Sequence, residues 1–167
     1  MELVARDGYA QTTVGEIAAL AGVSRSTFYE QFESKQDCFR VAYDDVAAQL
    51  IEAIRYAAAP IDDDPPARLA AGMRAFFDWT ADHPAAAATF VIEIHRAGPA
   101  ALEQRSQVLK RFCDVISARR PSVRPAAVMA LITSIDAMAH ECLRKGKAEQ
   151  LREHLDDALY VAQRLLG

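Results

Sequence analysis

The sequence predicts an all-α protein: an N-terminal three-helix helix-turn-helix head on a C-terminal helical bundle body, about nine helices in all. Three observations carry this expectation. Strand-like segments, with period-two alternation and β-branched enrichment, are nearly absent, while alanine is abundant. Apolar residues recur at three- and four-residue spacing through most of the chain. The periodic segments are bounded by capping residues, prolines and glycines of the kind that start and stop helices. The 167 residues, 51% of them apolar, suffice for one good core or for a small head on a larger body.

Met1 to Asp7 has room for about two helical turns before Gly8. Thr13 followed by Glu16 is a capping-box pattern, which predicts a second helix over Gln11 to Ala21 with Ile17, Ala18 and Ala21 on its apolar face. Gly22 ends it, because glycine accepts positive φ without steric cost. Val23 is expected to plug the turn into the core. Ser24 is a good N-cap for a third helix over Ser24 to Phe32, with Phe28 and Phe32 on one side and the donor-bearing Arg25, Ser26, Thr27 and Tyr29 on another. Ser34 and Asp37 form a second capping pattern that opens a long fourth helix, Lys35 to about Ala58. Two short helices joined by a glycine-containing turn form a helix-turn-helix, whose second helix can lie in a DNA major groove.

Pro60 ends the fourth helix, and the Asp- and Pro-rich stretch Ile61 to Pro66 reads as a loop. A fifth helix runs to Asp82, with Leu69, Met73, Phe76, Phe77 and Thr80 inward, and His83-Pro84 breaks it. The sixth, Pro84 to Arg96, is apolar nearly all round and should be buried. The seventh, Ala100 to Arg119, buries Leu102, Val108, Leu109, Phe112, Cys113 and Ile116. Pro121 separates it from the eighth, Val123 to Lys145, and Gly146 caps that. The ninth spans Ala148 to Leu166. The expected division is a helix-turn-helix domain over 1–44 and a helical ligand-binding and dimerisation domain over 45–167.

The segment from Leu3 to Phe39 resembles the N-terminal domain of the TetR family of bacterial transcriptional regulators. The matching residues are Gly8-Tyr9, Thr12-Thr13-Val14, Ile17-Ala18, Ala21-Gly22-Val23-Ser24, Thr27-Phe28-Tyr29, Phe32, Ser34-Lys35 and Phe39, at fixed spacing without a gap. The resemblance covers about a quarter of the chain; beyond it the body agrees with the family in helix number and length. It implies a repressor that binds a near-palindromic double-stranded DNA operator as a homodimer and is released by a small-molecule effector. It places Thr13 and Gly15 where the second helix meets the DNA backbone. Ser24, Arg25, Ser26, Thr27 and Tyr29 then fall at groove-facing positions, with Lys35 at a phosphate. The family's first helix is usually longer, and Glu30 is an unusual acid within the third.

Charge opposes this reading. Met1 to Asp45 carries four cations against eight carboxylates, a net charge of −4 equal to that of the whole chain. Phosphate neutralisation supplies much of the affinity of most DNA-binding heads. The competing expectation is a helical dimer that has lost DNA binding and serves as a small-molecule or protein-binding module. Cys38, Cys113 and Cys142 form no CxxC and fit a reducing cytoplasm. The N-terminal residues lack a signal-peptide pattern, and the apolar runs read as too short to cross a membrane. His83, His95, His140 and His154 are scattered, so no metal site or cofactor is expected. Nor is enzymatic activity, since no nucleophile–base pair, HExxH, P-loop or GxGxxG occurs.

Two further sites are expected in the body. Leu151, Leu155, Leu159, Ala162 and Leu166 make a stripe along the ninth helix, and Val128, Leu131, Ile135, Met138 and Cys142 do so along the eighth. These stripes, Cys142 aside, are the expected homodimer interface. Asp136 and His140, four residues apart among apolar neighbours that include Ile132, are candidate polar anchors for a mainly hydrophobic effector. The alternative is that the two bond each other and serve only packing. Met73, Phe76, Trp79, Phe90 and Phe112 would supply the walls of the chamber that the resemblance implies.

Overall fold

The computed structural model describes residues 1–118 and 122–166. Nine α-helices and two 3-10 segments occur among the described residues, and no strand. The helices are α1 Glu2–Asp7, α2 Val14–Leu20, α3 Arg25–Gln31, α4 Lys35–Ala58, α5 Pro65–Asp82, α6 Pro84–Val91, α7 Pro99–Ser117, α8 Pro125–Arg144 and α9 Leu155–Leu166. Arg119 and Pro121, the expected end of the seventh helix and the break after it, lie outside the described residues.

Local chemistry accounts for the head. The Thr13 hydroxyl accepts the Glu16 N–H while the Glu16 carboxylate accepts the Thr13 N–H, so both halves of the capping box are made. It fixes the start of α2 at Val14, three residues later than expected. At the other end Gly22 takes φ 69°, and the N–H groups of Gly22 and Val23 bond back to Ala19 and Ala18. That turn carries Val23 outward: it is 41% exposed and plugs nothing. Ser24 caps α3 and Ser34 caps α4, each accepting an N–H three residues on.

α4 is the axis of the molecule. Its 24 residues span about 36 Å, and it crosses the expected domain boundary without a break. Phe39 and Tyr43 at its head end join the same core as Val46, Ala47 and Leu50 further along. α5 packs along its outer half, α1 lies on α6, and α7, α8 and α9 close the body. The expected single helix from Pro84 to Arg96 is interrupted at Ile92, after which Glu93–Arg96 is 3-10. The first two turns of the expected ninth helix, Ala148–His154, are also 3-10. Leu102, expected in the core, is 41% exposed on α7.

The expected dimer stripes are corrected. Val128, Leu131, Ile135, Leu151, Leu155, Ala162 and Leu166 are buried inside this one chain, and Met138 and Leu159 are half-buried against its core. They pack α8 and α9 onto their own body: the seven buried residues leave little surface for a partner, while Met138 and Leu159 keep part of theirs exposed. The apolar groups that remain outside are different ones: Met129 on α8, and Tyr160 and Leu165 on α9. α8 is also longer than the apolar runs suggested, with 20 residues of a hydropathy that would suffice to cross a membrane; a third of that stretch is buried here against the bundle.

Candidate functional site

Two sites stand at opposite ends of α4. At the head, α3 presents Arg25, Ser26 and Tyr29 to solvent. The Ser24 and Thr27 hydroxyls lie 3.0 Å apart, and Ser24 Oγ accepts the Thr27 N–H at 3.0 Å, so both serve first to start α3. Tyr29 is held by an edge contact with Phe28, centroids 5.4 Å apart. The Arg25 guanidinium lies across Gly15, where a Cβ would collide with it. Gly15 thus leaves the room in which α3's arginine approaches the start of α2. Thr13 is exposed at the same helix end, with its hydroxyl and N–H both bonded to Glu16 at 2.8 Å.

Lys35, expected at a phosphate, also has a role within the head. Its Nζ donates to the carbonyls of Tyr9 at 2.7 Å and Thr12 at 2.8 Å, and it sits 4.3 Å from the Tyr9 ring centroid. Two of its three donors bind the α1–α2 loop to α4, which makes it a strut of the head. Several of the head's acids are likewise engaged. Glu16 and Asp37 serve caps, Asp7 pairs with Arg6 at 2.6 Å, and Asp44 meets Arg111 at 3.2 Å. Glu30 and Glu33 are exposed at the end of α3.

At the far end, α4, α5, α7 and α8 enclose a cavity of about 810 Å³. Met73, Phe76, Phe90, Phe112, Ile132 and Asp136 line it as expected, joined by Ile135. Trp79 and His140 do not line it. Trp79 stacks on His83, centroids 4.8 Å apart, half-buried against the core away from the cavity lining. His140, one turn beyond Asp136, falls past the cavity's end. The apolar walls that sequence reasoning left unassigned include Ile54, Leu69 and Leu109; their helical spacing marked them as inward without separating cavity from core. Glu52, Arg55, Tyr56 and Asp62, all exposed, form the mouth.

Asp136 does not pair with His140. Its carboxylate accepts from Arg105 Nη2 at 2.6 Å, an ion pair whose side chains are 11% and 21% exposed. Arg105 was not foreseen, because a lone arginine on an amphipathic helix reads as a solvated charge. Beside the pair lies Tyr43, fully buried and stacked on Phe90 at 4.8 Å. Burial pushes its phenol up to about 12, against the opposing pull of the Arg105 charge. Partial burial, and then the same guanidinium, hold the His95 imidazole below its ordinary value. Among the described residues no group of three His, Cys, Asp or Glu side chains is placed to hold a metal ion.

Between the two sites lies a polar joint. Glu93 is buried, accepts the Tyr9 N–H at 2.7 Å and pairs with Arg96. Gln36 donates to the Ala97 carbonyl at 2.9 Å, and Thr89 donates to the Met1 carbonyl at 3.3 Å. Gln104 donates to the Arg40 carbonyl at 2.8 Å and to Asp44 at 2.7 Å. Phe90, a wall of the cavity, stands three residues before Glu93, the acceptor for the head, on one continuous stretch of chain.

Residues 1–42 match the family described as "Bacterial regulatory proteins, tetR family". The head is a tetR-family head. The whole chain is also similar in structure to solved regulators. FadR from Bacillus halodurans, a fatty acid degradation regulator, is 20% identical with a TM-score of 0.84, the match covering 99% of this chain and 89% of that one. FadR from Bacillus subtilis, solved in complex with stearoyl-CoA, is 19% identical with a TM-score of 0.86, covering 99% and 93%. A tetR-family regulatory protein from Rhodococcus RHA1 is 23% identical with a TM-score of 0.70, covering 99% and 92%. No curated protein matches the sequence. The tetR-like fold therefore runs through the body as well, and it separates the α3 surface from the cavity by most of the length of α4.

Proposed function

We propose that this chain is a dimeric, ligand-responsive transcriptional regulator that binds a near-palindromic operator and releases it when a small, mainly hydrophobic molecule fills the body. One observation carries the reading: a tetR-family head with an exposed α3 is joined, through the Phe90–Glu93 stretch, to a largely apolar cavity. The likeness to a regulator that binds stearoyl-CoA supports an effector with a long apolar part. Such an effector acts only by preferring one arrangement of head and body over the other. Pairing through the outer faces of α8 and α9, around Met129, Tyr160 and Leu165, would bury apolar groups that one chain leaves exposed. Two heads would then meet half-sites about one helical turn, roughly 34–36 Å, apart or a multiple of that. Arg25, Ser26 and Tyr29 are the groove-facing residues of this reading, with Thr13 and Gly15 at the DNA backbone.

The head's net charge of −4 favours a second reading, a ligand-binding dimer without DNA affinity. Selection of bound sequences from a random duplex pool, followed by gel shift over a salt series, separates the two. The regulator reading expects a near-palindrome whose affinity falls steeply with salt and drops by about 1–3 kcal/mol in Arg25→Ala. Failure to enrich any sequence at low salt would leave the second reading standing.

A further inference from the structure

We propose that the cavity's ligand carries an uncharged carbonyl oxygen and binds it buried-end first, toward the Tyr43 hydroxyl and the Arg105 guanidinium, with its apolar chain running to the mouth. This rests on the cavity being the effector site. Arg105 gives Nη2 to Asp136, but its buried Nη1 has no hydrogen-bond partner. The buried Tyr43 hydroxyl has none either. Arg105 acts on the phenol both as a charge and as a hydrogen-bond neighbour, but no contact between the two meets the distance and angle of a full hydrogen bond. Even a bond from Arg105 to the phenol oxygen would leave the phenol proton without an acceptor. Unsatisfied buried donors are rare in native proteins and mark places where something else belongs.

Their position fits a ligand. Asp136, which holds Arg105, lines the cavity, and so does Phe90, which stacks on Tyr43. Both donors thus stand one side chain behind the inner wall and outside the lining itself, and the proposed ligand's polar group would pass between Phe90 and Asp136 to reach them. The chemistry of the two donors narrows the group. Tyr43 remains neutral across the ordinary pH range, so it donates. Arg105 is already neutralised by Asp136, so a second anion would add an unbalanced charge beside that carboxylate. A second cation would bring no acceptor at all. A carbonyl oxygen has two lone pairs, one for each donor, and adds no charge. The mouth points the same way. Glu52 and Asp62 stand there with Arg55 and Arg68, Asp63 and Asp64 follow in the same loop, and Arg68 is held by the Ala58 and Ile61 carbonyls. Such a rim offers no excess of positive charge to a polyanionic headgroup left outside.

The test uses the full chain and a neutral naphthylamine dye that fluoresces in apolar sites. Methyl dodecanoate, dodecanoate, dodecylammonium, dodecane and stearoyl-CoA then compete for it, in the unmutated protein and in Tyr43→Phe and Arg105→Lys. Lysine keeps a cation for Asp136 and removes the second donor. The expected result is that methyl dodecanoate displaces the dye best. Each variant should lose about tenfold of that preference over dodecane while binding the dye unchanged. Tighter binding of dodecanoate, of dodecylammonium or of stearoyl-CoA than of the ester overturns the proposal. So does an ester preference that survives in both variants. A protein that binds neither dye nor any competitor overturns instead the assignment of the cavity as the effector site.

Discussion

Head and body are both helical, but different forces hold them. The head's helices are short, seven residues each in α2 and α3, and their ends are tied by hydroxyl and carboxylate caps. Its own apolar centre is small: Ala18 and Phe28 are buried there and stand outside the continuous core of the body. One connected apolar core runs from Val4, Phe39 and Tyr43 at the head end to Leu166 in the body, and the cavity opens within its body part. The head therefore depends on a few local bonds and on its joint with α6, and the body on burial. A unit of the first kind can be loosened with less cost to the second, which the proposed ligand-responsive regulator would require.

Phe28→Ala tests that independence most severely. It should cost about 3–5 kcal/mol, melting the head while the body keeps its helices. Circular dichroism would then lose only a minor part of the helical signal, and dye binding in the cavity would persist. Loss of the whole signal in one transition would show that the two regions stand or fall together.

Alkali probes the buried Tyr43 in the shared core. In the unfolded chain the Tyr43 phenol ionises near 10, and in the folded chain near 12. Between those values the unfolded chain binds fewer protons, so stability falls as pH rises, by about 2–3 kcal/mol in total. Denaturant midpoints across that range should show the loss, and Tyr43→Phe should abolish its share of it.

The joint comes next. Glu93→Ala removes the acceptor of the Tyr9 N–H and the partner of Arg96. The expected cost is about 1–3 kcal/mol. A more specific sign is functional: operator affinity should become less sensitive to a bound cavity ligand. Retained sensitivity would locate the coupling elsewhere along α4.

The smallest effects belong to the caps and the α2–α3 approach. Thr13→Ala should cost about 0.5–2 kcal/mol, seen as earlier fraying of α2 by hydrogen exchange. Gly15→Ala should leave the melting point nearly unchanged, because only the flexible end of Arg25 must move aside. Operator affinity is the quantity it should change.

The same contrast explains what could be read from the sequence. Capping is a local code, so Thr13 with Glu16, Ser24 and Gly22 located the head's helices, the start of α2 to within three residues and the ends of α3 to within one. The long body helices followed from periodicity. What periodicity does not carry is the identity of the surface that a stripe meets. The α9 stripe looks the same whether it faces a partner or its own core, and it faces its core. Trp79 and Phe76 are equally aromatic neighbours on α5, and only one turns into the cavity. Charged residues were the hardest. Lys35 bonds two carbonyls in a loop more than twenty residues away, and Asp136 pairs across helices with Arg105 rather than along its own helix with His140. Such pairings are tertiary facts with no trace in local spacing.

Gly72 sits buried on α5 where the helix passes α4, and a Cβ there would lie 3.2 Å from Ile54 Cγ2. Ile54 is itself a wall of the cavity, and Gly72 lines it too. A methyl at this point would require the Ile54 side chain to give by a few tenths of an ångström, and would itself occupy space at the cavity wall. The gauge of the cavity is thus set partly by an atom that is missing. Under the proposed reading, the girth of the effector that the cavity accepts is open to change by substitution at this single crossing of two helices, away from any group at the effector's polar end.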